Sequence, residues 1–336
     1  MRIKRCSRCI VPSTYTGVKF DENGMCSVCE EWDKMWKGYN FRGRPEEFKK
    51  TFKKKKGKYD CIAPFSGGKD SSYVLYYLKR KLGLTPLAVN LNNYFQTDII
   101  KENIELMTHK LGVDMISFSP DFSNWCELMR RCFERSTIPC LPCDVGIYSL
   151  AYRTALMTET KVVVFPGGKL AAPKRPGRAV IMYKTLEMVT RHFDKGRKKI
   201  DLSNFAVTPE MVNQVDVVYF GNYFDWREQE ILNTVMEHLS WKKKGRQHAR
   251  IDCIFEPILN YLYSKRAKIS KQCSRLSAMV RDGQIDRAEA LARDKAYMLR
   301  QIPKEFKEIM KRIGITRQHL QKQIEGRGLM KPLWYH

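Results

Sequence analysis

A glycine-rich turn between a short apolar run and a helical pattern is the feature that most constrains the fold. Residues 59–65 (YDCIAPF) are typical of a buried parallel strand, and residues 66–71 (SGGKDS) lead into a helical pattern that closes at Gly83. Glycines allow positive φ and let backbone N–H groups approach an anion, which the N-terminus of the next helix also attracts. The spacing matches neither GxxxxGK[ST] nor GxGxxG. We therefore predict a phosphate-binding turn of another kind.

Strand and helix patterns alternate after this turn. Further strands are predicted over 85–91, 113–119 and 161–166, and helices over 72–83, 98–112, 122–135 and 144–160. This alternation indicates an α/β fold with a doubly wound parallel sheet that binds its ligands at the carboxyl ends of the strands. Residues 167–205, rich in Gly, Pro, Lys and Arg, are interpreted as a long loop or lid.

The pattern divides the chain into four segments. We predict a cysteine-rich, zinc-ribbon-like head, a basic and helical connector, the sheet domain and a mostly helical C-terminal region. Their bounds are 1–35, 36–58, 59–222 and 223–336.

The head contains two CxxC pairs separated by sixteen residues. Four thiolates at such spacing are typical of a closed, structural zinc site. Zinc would contribute on the order of 10 kcal/mol or more to the folding of so short a segment. Another metal or four unrelated cysteines are the alternatives. The proposed ligands are Cys6, Cys9, Cys26 and Cys29.

A third CxxC, formed by Cys140 and Cys143, precedes a predicted helix, and Cys253 lies far downstream. Three cysteines can ligate three irons of a [4Fe–4S] cluster and leave the fourth iron open. A zinc site, a redox pair and plain buried thiols remain alternatives at this stage. The other cysteines lie in strand-like or helix-like runs and are interpreted as ordinary thiols.

The chain has a formal net charge of +25. Such an excess favours polyanionic or phosphorylated partners without choosing among RNA, a nucleotide-sugar, an acidic protein and an anionic membrane surface. The N-terminus has no apolar signal-peptide core, and no run reaches the ~18 apolar residues of a membrane helix. We therefore expect a cytoplasmic protein.

The polar residues of the turn suit a nucleotide site. Ser66 and Ser71 can donate to phosphate oxygens, Lys69 supplies positive charge, and Asp70 can hold Mg²⁺. Gly67 and Gly68 let the backbone approach the phosphate.

This stretch resembles the SGGxDS signature of the PP-loop, or N-type, ATP pyrophosphatases, whose sheet is of the adenine nucleotide alpha hydrolase-like (HUP) type. The resemblance implies that ATP is cleaved between its α and β phosphates, that a substrate oxygen is adenylated, and that pyrophosphate leaves. It also implies that the second strand holds the adenine through its backbone near Asn90. Lys69 and Asp70 are then the predicted catalytic residues.

A closer resemblance covers residues 6 to about 295. The head CSRCIVPSTYTGVKFDENGMCSVC, the segment PCLPCDVGIYSLAYRTA and the late segments GNYFDWREQEI, RIDCIFEPILNYL and MVRDGQIDRAEAL are similar to the N-acetyl sugar amidotransferases (WbpG-type) of lipopolysaccharide O-antigen biosynthesis. One departure is Gly168-Lys169, where that family leads us to expect Gly-Glu.

That resemblance implies an ATP-binding transferase that converts an acetamido group into an acetamidino group with ammonia. The acceptor would be a nucleotide-linked or lipid-linked sugar. No cysteine is framed as a GxCxG elbow, and residue 2 is Arg, so we expect a separate glutaminase subunit to supply ammonia. The alternative is a PP-loop sulfur transferase that acts on tRNA or a small heterocycle with a [4Fe–4S] cluster. A non-catalytic RNA-binding or partner-binding protein is the third hypothesis.

Overall fold

The computed structural model describes residues 3–15, 17–52, 57–135, 140–170, 178–191, 199–243 and 252–326. Its centre is a five-stranded, all-parallel sheet in the order β3-β2-β1-β4-β5. The strands are β1 (Cys61–Pro64), β2 (Pro86–Leu91), β3 (Met115–Phe118), β4 (Val162–Phe165) and β5 (Asp216–Tyr219). The doubly wound α/β prediction is confirmed. The strand order reverses direction between β1 and β4, which is where such sheets bind their ligands.

Helices surround the sheet and form most of the C-terminal region. They are α1 (Ser27–Trp36), α2 (Arg44–Lys50), α3 (Lys69–Tyr76), α4 (Asp98–Leu111), α5 (Phe122–Arg135), α6 (Leu141–Met157), α7 (Arg178–Arg191), α8 (Pro209–Gln214), α9 (Glu228–Leu239), α10 (Glu256–Arg266), α11 (Cys273–Arg281), α12 (Arg287–Tyr297), α13 (Phe306–Ile313) and α14 (Arg317–Glu325). Within the described ranges, none of them is long and apolar enough to cross a membrane.

Alternate strand residues face two different helical layers. Ile62 of β1 and Val89 of β2 pack with α5, α6, α7, α10 and α13. Cys61 and Ala63 pack on the other face with α3, α4, α9 and α11. Because both faces are covered, β1, β2 and β4 are buried along their whole length, which explains their continuous apolar sequences.

The loop or lid prediction for 167–205 is wrong over α7. Ala179, Met182 and Leu186 recur at helical spacing and are buried, so this stretch packs as a helix despite the basic residues around it. The parts of that prediction at 171–177 and 192–198 lie outside the described residues. The sequence interpretation also lacked β5.

The first helix after the turn begins earlier than predicted. Lys69 opens α3, so the loop's charged residues lie in the first helical turn, and the helix ends in a π-helical turn over Tyr77–Lys81. The basic connector contains α2, and its residues 53–56 lie outside the described ranges.

The N-terminal head is docked on the C-terminal helices. Arg287 of α12 donates to the carbonyl oxygens of Cys6 (2.9 Å) and Cys9 (3.0 Å). Arg5 forms an ion pair of 2.8 Å with Asp294, whose side chain is 1% exposed. The head and α12 therefore share one interface.

Candidate active site and metal centres

The glycine turn is held by its own serines at the carboxyl end of β1. The Ser66 and Ser71 hydroxyl oxygens lie 3.2 Å apart, and Ser71 Oγ accepts from Ser66 N and donates to Gly68 O. These contacts bring both predicted phosphate-binding hydroxyls together at the N-terminus of α3, where backbone N–H groups and the helix dipole favour an anion.

Neighbouring elements constrain the turn from both sides. Gly67 has a φ of +75°, and a Cβ there would lie 2.9 Å from the carbonyl oxygen of Ile100 in α4. Trp241 Nε1 donates to Gly67 O at 3.0 Å. The buried Asn90 amide donates to Phe65 O at 2.7 Å. The side chain of Asn90 therefore supports the turn, and the prediction that its backbone holds adenine stays a prediction.

Four charged side chains meet beside the turn. Lys69 Nζ lies 2.5 Å from Asp70 Oδ1 and 3.1 Å from Glu228 Oε1. Arg275 binds both oxygens of Asp70, at 3.0 and 3.2 Å, and its Nη2 lies 2.5 Å from Glu228 Oε2. We call these residues the loop ion network. It combines two predicted residues with two from the C-terminal region.

Both cations of the loop ion network are largely enclosed, and the charge of Arg275 depends on its carboxylate partners. Burial by itself would lower its pKa, but the charges of Asp70 and Glu228 outweigh this and raise the pKa, so the guanidinium stays charged. Sequence reasoning missed both Glu228 and Arg275. The segment DWREQE had been singled out as family-like, but nothing in it distinguished Glu228 from its acidic neighbours.

The oxygen donors beside the turn suit Mg²⁺. Asp70 and Glu228 are partly exposed carboxylates, and a Cβ on Gly68 would lie 3.1 Å from Asp252 Oδ1. Mg²⁺ is bound in proteins by one or two carboxylates together with substrate phosphates. The donor set therefore fits the predicted cation, with Asp70 nearest to the turn.

Lys169 does not present free charge at the end of β4. Its ammonium lies 2.8 Å from both Asp225 Oδ1 and Asp282 Oδ1, and over the ring of Phe41. The base that replaces the expected carboxylate is thus neutralised by two acids. Beside it, Gly168 has a φ of +103°, and a Cβ there would lie 2.4 Å from Gly221 O, so only glycine fits.

The head assembles its four cysteines into one buried group. Their sulfur atoms all lie within 4.8 Å of one another, with contacts of 3.6, 3.7 and 3.9 Å. A tetrahedron with Zn–S bonds of about 2.3 Å has edges of about 3.8 Å, so the donor set fits zinc. The ligands would be Cys6, Cys9, Cys26 and Cys29, all free thiols in this structure.

The sulfur contacts already favour thiolates at two of these positions. Hydrogen bonds from the Cys26 thiol lower the pKa of Cys9 and of Cys29, and the Cys29 contact raises the pKa of Cys26 itself. Metal binding requires all four to lose their protons. The sulfur contacts thus lower the pKa of Cys9 and Cys29 and raise the pKa of Cys6 and Cys26.

The second cysteine set lies beside the turn in a looser arrangement. Burial raises the pKa of Cys143, and the charges of Cys140 and Cys253 raise it further, so the three sulfurs are near one another. Burial also raises the pKa of Cys253 to about 12. Asp252, the neighbour of Cys253, lies close to Gly68, so the chain at Cys253 passes near the turn.

This set does not form a group as tight as the one in the head. Among the described residues, only the head cysteines gather closely enough to hold a single ion. A [4Fe–4S] cluster places each thiolate on a different iron and so needs wider spacing. Three thiols near one another fit that donor set, and the role of Cys140, Cys143 and Cys253 stays a prediction.

Comparison with known proteins agrees with the C-terminal part of this description. Residues 253–328 match the family described as "LPS biosynthesis protein WbpG-like, C-terminal domain". This confirms the resemblance over a segment that includes Arg275. An uncharacterized protein of Methanocaldococcus jannaschii, MJ1599, is 25% identical over 312 residues, which cover 86% of this chain and 99% of that protein.

A solved structure described as the U34-tRNA thiolase NcsA from Methanococcus maripaludis with its [4Fe-4S] cluster is similar over 88% of both chains, at 16% identity and a TM-score of 0.40. At that score the similarity carries no argument about function. The parallel sheet and its glycine turn are, by themselves, consistent with the PP-loop ATP pyrophosphatase superfamily.

Proposed function

We propose that this chain is an ATP-dependent, AMP-forming and pyrophosphate-forming amidotransferase that acts on the acetamido group of an N-acetylated sugar. One observation carries the proposal. The SGGKDS turn lies where the strand order reverses, and Arg275, from the WbpG-like segment, is bound to its Asp70. The family-like C-terminal region and the predicted nucleotide site thus meet at one place.

The proposed reaction has two displacements. The acetamido oxygen attacks the α-phosphorus of ATP, the bond to the bridging oxygen breaks, and pyrophosphate leaves. Ammonia then attacks the activated carbon and loses a proton, the C–O bond breaks, and AMP leaves with the former acetamido oxygen. The sugar keeps an acetamidino group.

The chain's own residues would bind and orient the phosphates. We propose that the N–H groups of the turn, the two hydroxyls and Lys69 bind the departing pyrophosphate, since preorganised donors of this kind stabilise developing charge. Mg²⁺, held by Asp70, would neutralise part of the phosphate charge. Ammonia would come from a separate glutaminase partner, and a nucleotide-linked or lipid-linked sugar would be the acceptor.

An isotope experiment tests the reaction. An N-acetyl sugar nucleotide labelled with oxygen-18 in its acetamido carbonyl is incubated with ATP, Mg²⁺ and ammonium, and AMP is analysed by mass spectrometry. We expect labelled AMP in amounts equal to the acetamidino product. Release of ADP and phosphate, or unlabelled AMP together with amidino product, would contradict the mechanism.

Two neighbouring serines provide a matched pair of variants. Ser71→Ala removes a hydroxyl of the turn, and we expect AMP formation to fall by about a hundredfold or more, as for the loss of a single oxyanion donor. Ser72→Ala is the control, because the buried Ser72 hydroxyl has no hydrogen-bond partner in this structure and makes none of these contacts. Equal activities of the two variants would argue against a phosphate role for the turn.

A sulfur transferase is the second candidate, because Cys253 of the second cysteine set follows Asp252, which lies close to Gly68 of the turn. Under that reaction the same adenylate would be attacked by sulfide or a persulfide, and tRNA would be the acceptor. The distinguishing result is iron in the anaerobically purified protein together with AMP formation that requires tRNA. Iron-free protein that forms AMP with an N-acetyl sugar would exclude it.

A further inference from the structure

The loop ion network contains a feature that phosphate binding alone does not explain. Arg275 engages both carboxylate oxygens of Asp70, and Lys69 also contacts Oδ1. The guanidinium lies in the bidentate, fork-like arrangement that makes arginine–carboxylate pairs strong. The carboxylate predicted to hold Mg²⁺ is therefore already engaged by a protein cation.

A divalent ion and a bidentate guanidinium cannot share this carboxylate without cost. Mg²⁺ requires near-octahedral geometry and short contacts to oxygen, and it would repel the adjacent guanidinium strongly in a site that excludes much of the solvent. The side chain of Arg275 is only 19% exposed, so water screens the repulsion weakly.

Glu228 gives the guanidinium another carboxylate to bind. Its Oε2 contacts Arg275, and its Oε1 contacts Lys69, so it holds both cations of the network at the turn. If Asp70 turned toward a metal, Arg275 would keep this anchor and would still face the position of the departing pyrophosphate.

We propose that Arg275 and Mg²⁺ compete for Asp70, and that Glu228 retains Arg275 beside the turn when the metal takes the carboxylate. This inference rests on the proposed function, because it takes Asp70 as the metal ligand. Arg275 is thus a positioning residue. Its guanidinium balances the negative charge of Asp70, so Mg²⁺ takes this carboxylate only when the phosphates of the nucleotide arrive. The C-terminal region would in this way control when the nucleotide site accepts its cation.

The test measures metal binding without nucleotide. The full chain is titrated with Mn²⁺ as a probe for Mg²⁺, and free Mn²⁺ is followed by electron paramagnetic resonance. We expect Arg275→Gln to bind Mn²⁺ at least about tenfold more tightly than the unchanged chain, because the competing charge is gone. Asp70→Asn should remove this binding in either background.

A matched control variant distinguishes competition for Asp70 from the general effect of removing one positive charge near the turn. Arg293 lies on the neighbouring helix α12, lines the same cavity of about 260 Å³ as Arg275, and pairs with Glu289. Arg293→Gln removes the same charge, and we expect Mn²⁺ affinity to stay within about twofold of the unchanged chain, since its guanidinium does not bind Asp70.

Arg275→Lys keeps the inference testable if Arg275→Gln does not fold. Lysine keeps the charge but not the bidentate fork, so we expect Mn²⁺ affinity to rise by about threefold, less than for the neutral variant. Unchanged or weaker Mn²⁺ binding in a folded Arg275 variant, or equal tightening by Arg293→Gln, would overturn the inference. Because nucleotide is absent from the assay, a failure here is distinct from a failure of the oxygen-18 experiment.

Discussion

Substitution of Gly67 by alanine gives a direct test of how tightly the turn is held. Gly67 has a φ of +75°, and a Cβ there would lie 2.7 Å from Ile104 Cγ1 and 2.9 Å from the Ile100 carbonyl oxygen. The first neighbour is a side chain, but the second is the backbone of α4. The added methyl group therefore cannot be accommodated without moving the turn or the helix.

The expected loss of stability in Gly67→Ala has two contributions. A left-handed conformation costs a non-glycine residue about 1–2 kcal/mol. Overpacking against a fixed neighbour adds about 1–3 kcal/mol. Gly83 separates the two parts, because it has a φ of +66° and nothing within 4 Å of its Cβ position. Gly83→Ala should therefore show only the first part.

We expect the free energy of unfolding of Gly67→Ala to lie about 1–3 kcal/mol below that of Gly83→Ala, measured by urea denaturation with zinc present. The effect of alanine on the unfolded chain is the same in both variants and cancels. ATP binding, followed by calorimetry, should weaken only in Gly67→Ala. Equal stabilities for the two variants would show that α4 does not confine the turn.

Three further predictions concern the head and the support of the turn. Cys29→Ser should lower the zinc content, measured by elemental analysis, from one ion per chain to none. Cys126 is a buried cysteine outside both cysteine sets, so Cys126→Ser should keep the zinc. Zinc retained by Cys29→Ser would argue against the four-cysteine site. Asn90→Leu should lower the free energy of unfolding by about 1–3 kcal/mol, because the carbonyl after β1 loses its donor, and urea denaturation measures this. Arg287→Ala should speed the loss of zinc to a chelator, because two carbonyl groups of the head lose their hydrogen-bond donor. Arg300→Ala, at an exposed position, should not change this rate, and a colorimetric zinc indicator measures both variants. Equal rates would show that Arg287 does not hold the head in place.

The sheet could be predicted because its strands carry strong local signals. The runs 59–65, 85–91 and 161–166 each contain a strand that is covered on both faces, and such strands are largely apolar, whereas 113–119 contains β3, a partly exposed edge strand. β5, the other four-residue edge strand, was missed; it begins at the exposed Asp216. The prediction of a loop over 167–205 relied on the Gly, Pro, Lys and Arg content of this stretch. It overlooked the helical spacing of the apolar residues that are buried in α7.

The turn residues of the candidate site could be predicted from the sequence, but the residues from the C-terminal region could not. The turn is a local motif, so Ser66, Lys69 and Asp70 could be identified from neighbours in the sequence. Arg275 lies 205 residues from Asp70 along the chain and belongs to a helix whose sequence has no distinctive feature. The packing of α9 against α3 and the ion pairs of Arg275 bring Glu228 and Arg275 to the turn.

The docking of the head has a consequence for how the chain is made on the ribosome. The head is translated before α12, the helix that carries both Arg287 and Asp294. The nascent head must therefore hold its four-cysteine group without support from α12 until that helix has been synthesised. Until the head docks on α12, the carboxylate of Asp294 lacks its ion pair with Arg5. We therefore expect this interface to form late in the folding of the chain.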